Sequence, residues 1–167
     1  MNTRYLRLVS IALVLSLPHI ALADIAWPAL FLEQRLLAWY SIAIGLLGEW
    51  LFVRFGLRQA WLRAAGMTLL MNLFSTLAGI ILQPLLGLAW EFFPARLLYS
   101  LLGGTFNPVT WAATFVIAVV ASVVIELLVL VRFFELEVSR HSVLVLVGAN
   151  TFSVAIAFGS LFLIPLS

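Results

Sequence analysis

The sequence predicts an all-α integral membrane protein with four mature transmembrane helices, arranged as two tandem two-helix repeats after an N-terminal signal peptide. Three observations predict it: the composition, four long runs with few charges, and a set of polar residues that occurs twice. Of the 167 residues, 65% are hydrophobic and only 10% are charged, whereas a soluble domain has about 45–50% apolar and about 25% charged residues. A chain this apolar would expose large hydrophobic patches in water, so we expect the lipid bilayer to be its partner.

The composition also excludes several kinds of site. All nine basic residues are arginine, and they are scattered singly between apolar runs, whereas binding of nucleic acid needs a clustered basic patch. The absence of cysteine excludes disulfides and thiolate metal sites. Only His19 and His141 are present, and His19 lies in the predicted signal, so one mature chain cannot build a metal site from several histidines. We therefore predict no nucleic-acid partner, no metal and no cofactor.

Residues 1–23 have the three parts of a signal peptide. Arg4 and Arg7 supply the positive start, Leu8 to Leu17 is an apolar run too short to span the bilayer, and Ala21-Leu22-Ala23 is typical of a cleavage site. An uncleaved anchor is the alternative. Both interpretations place the start of the mature chain outside the cytoplasm.

Four apolar runs predict the spans, because a helix needs about 20 apolar residues to cross about 30 Å of hydrocarbon. They form two helical hairpins, at residues 24–90 and 112–167, joined by an outer interfacial connection at residues 91–111. The four spans are predicted at about 36–53, 67–89, 112–131 and 142–165. Transmembrane β-strands would alternate polar and apolar residues, and these runs do not.

The arginines predict the orientation of the chain in the membrane. Five of them fall in the two short loops that connect the helices of each hairpin. Only Arg35 and Arg96 fall on the opposite side of the membrane. The five are Arg54, Arg58, Arg63, Arg132 and Arg140. Short cytoplasmic loops carry the excess of basic residues, so we expect the cytoplasmic (inner) membrane, with both mature termini outside the cytoplasm.

A set of polar residues occurs once in each hairpin. Glu49 precedes Asn72-Leu73-Phe74-Ser75 by 23 residues, and Glu126 precedes Asn150-Thr151-Phe152-Ser153 by 24. This favours an internal duplication, with chance similarity between apolar helices as the alternative. Because each repeat is two spans long, both copies would run in the same direction, related by a pseudo-twofold axis along the membrane normal.

These polar residues are the candidate functional site. A charged side chain at the centre of a membrane helix costs about 2.5–3.5 kcal/mol on insertion scales, which makes an intramembrane acid a functional hypothesis. The spacing places both acids and both asparagines in the cytoplasmic third of the membrane, where each acid would meet an asparagine from its own or the other half. The predicted ion or polar pocket consists of Glu49, Glu126, Asn72, Asn150, Ser75 and Ser153.

Structural interpretations of the same residues remain open. Asparagine and serine on small-residue helix faces commonly form hydrogen bonds between helices. A glutamate near the inner interface can also reach water or pair with an arginine of the nearby loop.

We consider two functions. The first is a proton or cation transport or permeation module built on the paired glutamates; because four spans are few for a transporter, it requires a homo-oligomer or a membrane-protein partner. The alternative is a non-catalytic structural or accessory subunit of a membrane complex. A membrane-embedded enzyme has the least support, because no nucleophile, metal or cofactor motif accompanies the two carboxyls.

Overall fold

The computed structural model describes residues 28–102 and 104–164, and this part of the chain is helical without strands. The predicted signal peptide at residues 1–23 lies outside the described residues, as does the end of the last predicted span at residue 165. The described helices, with the names used below, are α1 (Pro28–Leu36), α2 (Trp39–Leu51) with a π-helical turn (Phe52–Gly56), α3 (Trp61–Trp90) with a second π-helical turn (Glu91–Ala95), α4 (Arg96–Leu102), α5 (Pro108–Phe134) and α6 (Arg140–Leu163).

Several of these helices are long and apolar enough to cross a membrane, as a membrane protein requires. Three helical stretches have the necessary length and composition: Trp61–Leu101, Pro108–Phe134 and Arg140–Leu163. A fourth results if Pro28–Leu36 and Trp39–Gly56, which meet at a bend of 73°, count as one span.

Local sequence signals explain where α5 and α6 begin. The Asn107 side chain accepts a hydrogen bond from the Thr110 backbone N–H at 2.9 Å, and Pro108 occupies the first helical position, where its missing N–H costs nothing. Ser139 and Ser142 form a reciprocal capping box at the start of α6.

The first predicted span differs from the structure at its outer end. The prediction starts it at residue 36, but Leu36 ends α1, and α2 begins at Trp39 after the bend. Hydrogen bonds across the bend and from the bend to the end of α6 hold it in place. Arg35 donates from Nη2 to the backbone carbonyl of Ile164 and from Nη1 to the Tyr40 hydroxyl at 3.1 Å, and Tyr40 donates to Ser160 at 3.2 Å.

The second difference concerns the predicted outer connection at residues 91–111. The helix continues from α3 through Pro84 and Pro94 to Leu102, although each proline removes one backbone hydrogen bond. The π-helical turn that contains Pro94 absorbs part of this disruption. The 41 residues of this stretch would extend about 60 Å at about 1.5 Å per residue, which is longer than a hydrocarbon core about 30 Å thick.

The long helices form a four-membered bundle. α2 packs on α6, α6 on α5 and α5 on α3, whereas the interface between α2 and α3 is less extensive than that between α5 and α6. α1 contacts both α3 and α6 and lies at the end of the bundle where α6 ends. The fully buried side chains between the helices include Leu32, Met67, Met71, Leu130 and Leu146.

The two arginine-rich connections lie at the same end of the bundle. Arg63 Nη2 donates to the backbone carbonyl of Phe134 at 3.2 Å, and His141 Nε2 lies 2.8 Å from the backbone carbonyl of Gly56. These contacts join the turn between α2 and α3 to the turn between α5 and α6.

Candidate functional site

Each of the two predicted glutamates accepts a hydrogen bond from the asparagine of its own half. Asn150 Nδ2 donates to Glu126 Oε2 at 2.7 Å, and Asn72 Nδ2 donates to Glu49 Oε2. The sequence left open which half would supply each amide. In the structure, each bond joins the two helices of its own hairpin.

The two asparagines are held in the same way. Asn72 Nδ2 also donates to the Thr68 backbone carbonyl at 3.0 Å, and Asn150 Nδ2 donates to the Leu146 carbonyl at 3.1 Å. Each amide nitrogen therefore uses both of its hydrogens, one on the helix four residues back and one on the glutamate. This arrangement fixes the amide plane and aims one N–H at the carboxyl.

Both carboxyls are enclosed by the helices. Glu49 is 2% exposed and Glu126 is 1% exposed, so neither side chain extends to the outer surface of the bundle as the snorkelling interpretation requires. The Ser153 hydroxyl, from the second half, lies beside the Glu49 carboxyl. Gly45 makes this approach possible, because a Cβ at this position would lie 2.5 Å from Ser153 Oγ.

The six predicted residues line one cavity of about 310 Å³. The cavity extends from the paired glutamates toward the end of the bundle where α1 lies, and α1 borders it there. Besides the six, its polar lining residues are Glu33, Ser41, Thr76, Gln83 and Ser122. Neither Gln83 nor Ser41 is among the six residues predicted from the sequence. A signal for Ser41 was present, because it lies eight residues, or about two helical turns, before Glu49 on the same face of α2.

Two of these additional side chains are buried without a partner. Ser41 is 4% exposed and Gln83 is 5% exposed, and both border the cavity. Within the described part of the chain, neither Ser41 Oγ nor Gln83 Nε2 has a hydrogen-bond partner. Buried polar groups are nearly always hydrogen-bonded, so two unpartnered polar atoms among the residues that line one cavity are unusual.

The cavity opens sideways between α2 and α3. Ile42 on α2 and Leu73 on α3 both line it, yet they are 44% and 54% exposed. Val119 lies seven residues before Glu126, just as Ile42 lies seven before Glu49, and Val119 is only 6% exposed. The loose α2–α3 interface therefore gives access from the side of the bundle, whereas the tighter α5–α6 interface closes the equivalent path.

The charges along the cavity have one sign. Its titratable side chains are Glu33, Glu49 and Glu126, and no arginine or histidine is among the described residues that line it. Over residues 28–102 and 104–164, no group of three histidine or acidic side chains is placed to hold a metal ion. The cavity thus offers carboxyl, amide and hydroxyl oxygens to a ligand that is neutral or cationic.

Comparison of the chain with protein-family models, curated proteins and solved structures finds no match. The class of the protein therefore follows from its helices and its cavity. They form an all-helical protein with helices long and apolar enough to span a membrane, in which two buried acids from different hairpins border one cavity.

Proposed function

We propose that this protein is a transport or permeation module for protons or monovalent cations. The observation that carries the proposal is that Glu49 and Glu126, each buried and each held by an asparagine, border the same cavity. A carboxyl can bind and release a proton or coordinate a cation, and the cavity supplies further oxygens. Five hydroxyl-bearing residues, Ser41, Ser75, Thr76, Ser122 and Ser153, lie along it.

The burial cost of the acids argues against a purely structural role. Two carboxyls in a bundle interior cost several kcal/mol of desolvation each if ionised, and an apolar pair of similar volume would stabilise such a packing equally well or better. The asparagine bonds offset part of this cost. The same costly arrangement occurs in both halves, as we expect of a cation site formed by both halves.

The proposed architecture has four spans, with α1 and α2 sharing the first. Equivalent hydrogen bonds at Glu49 and Glu126 support the proposal that the halves arose by duplication. The common location of the two arginine-rich turns supports an inner-membrane orientation with those turns in the cytoplasm and both mature termini outside it. Cleavage of residues 1–23 as a signal peptide is part of the same proposal.

We further propose that the working unit is a homo-oligomer or a complex with another membrane protein. One bundle places its acids at the bottom of a cavity that opens sideways, and a continuous path across the membrane needs a second wall. The lipid bilayer covers the remaining apolar surface. No cofactor and no nucleic acid enter this proposal.

Flux measurements on the purified protein in liposomes test the function. We expect proton or monovalent-cation flux above that of empty liposomes, and at least a tenfold loss in the double variant Glu49→Gln/Glu126→Gln. The matched control is Glu137→Gln, an exposed carboxyl in the turn before α6, which should leave flux unchanged. Flux that is equal in the wild type and the double variant would exclude transport through this site and favour the accessory-subunit alternative.

A further inference from the structure

The cavity is much larger than a bare cation requires, and most of its wall is apolar. Leu46, Leu69, Ile80, Ala121 and Ile125 contribute to that wall. A volume of about 310 Å³ lies in the range of cavities that bind small organic molecules, about 300–1,000 Å³. A hydrated inorganic ion would leave these apolar side chains in contact with water.

The polar groups of the cavity lie at two separate levels. Glu49 and Glu126 with their asparagines lie at the inner level. The unpartnered Ser41 Oγ and Gln83 Nε2 lie further out. Ser41 precedes Glu49 by eight residues on one helix, which corresponds to about 12 Å at about 1.5 Å per residue.

We propose that the site binds an elongated organic ammonium with an apolar body and a hydrogen-bond acceptor at its far end. The ammonium would lie against the Glu49 and Glu126 carboxyls, since the described lining residues carry no positive charge that would repel it. The acceptor, a hydroxyl or carbonyl oxygen, would receive hydrogen bonds from Ser41 and Gln83. The apolar body would fill the space between these two levels.

The direction of entry follows from the exposed lining residues. Ile42 and Leu73 border both the cavity and the outside of the bundle, so an amphiphile dissolved in the surrounding lipid enters between α2 and α3. Its charged end then passes the exposed Thr76 hydroxyl on the α3 side of the opening. This inference rests on the proposed function, because it names the cation that the module carries.

Binding to the full chain in nanodiscs, with empty nanodiscs subtracted, tests the proposal. The probe is a straight ten-carbon ω-amino alcohol. Two comparison ligands each lack one group: the ten-carbon diol lacks the charge, and the ten-carbon amine lacks the hydroxyl. We expect the amino alcohol to bind at least tenfold more tightly than the diol and several-fold more tightly than the amine.

Two sets of variants assign the two ends of the ligand. Glu49→Gln/Glu126→Gln should abolish the preference over the diol, and Ser41→Ala/Gln83→Leu should abolish the preference over the amine. The matched controls are Glu137→Gln for the acids and Gln34→Leu, an exposed position on α1, for the outer pair. Far-ultraviolet circular dichroism identifies any variant that has lost its helices. Gln83→Glu, which matches glutamine in size and lacks the amide N–H donor, then replaces the outer variant.

The outcomes separate this inference from the proposed function. Equal binding of the amino alcohol and the diol, or preferences that survive both variant sets, would overturn the inference. Proton or inorganic-cation flux in the absence of amino-alcohol binding would overturn the inference alone and leave the proposed function standing. Specific binding without any flux would support the ligand class and contradict the transport function.

Discussion

At the residue scale, the two glutamate–asparagine pairs share one geometry but differ in their surroundings. Asn150 is 3% exposed and lies in the closed α5–α6 interface, whereas Asn72 is half-buried beside the opening between α2 and α3. Loss of the amide therefore has different consequences in the two halves. Water can replace Asn72 through the opening, and it cannot readily replace Asn150.

We expect Asn150→Leu to destabilise the protein by about 1–3 kcal/mol, because it leaves the Glu126 carboxyl buried without its partner. Asn72→Leu should cost less. Equilibrium unfolding in mixed micelles of rising denaturing-detergent content measures both. Glu126→Leu removes the group left unpaired, so the double variant Glu126→Leu/Asn150→Leu should recover part of the lost free energy of unfolding. A double variant that loses the sum of the two single effects would contradict the pairing.

The six residues of the predicted pocket could be found from the sequence, because acids and amides are conspicuous in an apolar chain. All six predicted residues border one cavity. Ser41 was harder to find, because serine is common in membrane helices and the cavity that Ser41 borders depends on how several helices pack. Each acid pairs with the asparagine of its own half. The sequence could not predict this pairing, because it depends on how each helix is rotated about its axis.

At the element scale, the bend between α1 and α2 depends on contacts remote in sequence. Residues 36–38 are Leu-Leu-Ala, which contain no proline or glycine that would break a helix, and the sequence therefore predicted a continuous span. The hydrogen bonds of Arg35 to Ile164 and of Tyr40 to Ser160 hold the bend against the end of α6. Conversely, the sequence predicted a separate outer connection from residue 91, yet the helix continues from α3 through Pro94 to Leu102.

Replacement of Arg35 should loosen this end of the bundle. We expect Arg35→Met to speed amide hydrogen exchange in α1 and at the end of α6 several-fold, because the side chain that joins them is lost. Exchange in α5 should change little. Arg140→Met, at an exposed position at the start of α6, is the control, and unchanged exchange of α1 in Arg35→Met would show that other contacts hold the bend.

Close packing at Gly56 should make this position intolerant of even a methyl group. A Cβ there would lie 2.7 and 2.8 Å from the two methyl carbons of Val145, and valine has little freedom to rotate away in a helix. We expect Gly56→Ala to lower thermal stability in detergent by about 1–3 kcal/mol. Gly66→Ala is the matched control, since nothing lies within 4 Å of its Cβ position; equal effects of the two substitutions would contradict the packing.

At the scale of the whole molecule, the orientation is a proposal that the chain itself makes easy to test. The native sequence contains no cysteine, so a single introduced cysteine is the only thiol. We expect a membrane-impermeant maleimide applied to intact cells to label Ser100→Cys, on the outer α4, and to label Ala60→Cys, beside the arginine-rich turn, only after the membrane is opened. The reverse labelling pattern would show that the chain has the opposite orientation in the membrane.

The general class of the molecule was predictable because the bilayer restricts an apolar chain to few structures. Predicted spans at 67–89 and 112–131 lie inside the observed helices, and composition alone accounts for that. The shape of the cavity was not predictable in the same way. It arises from the difference between a loose α2–α3 interface and a tight α5–α6 interface, which depends on how particular side chains pack.

Glu49 and Glu126 are proposed to form one cation site. The most direct test compares liposome flux of Glu49→Gln, Glu126→Gln and the double variant at a single set of gradients. If the acids act as a unit, each single variant should lose nearly as much flux as the double variant, because either substitution disables the shared site. Single losses that multiply to give the double loss, or a single variant with wild-type flux, would show that the two acids act independently and would contradict the account.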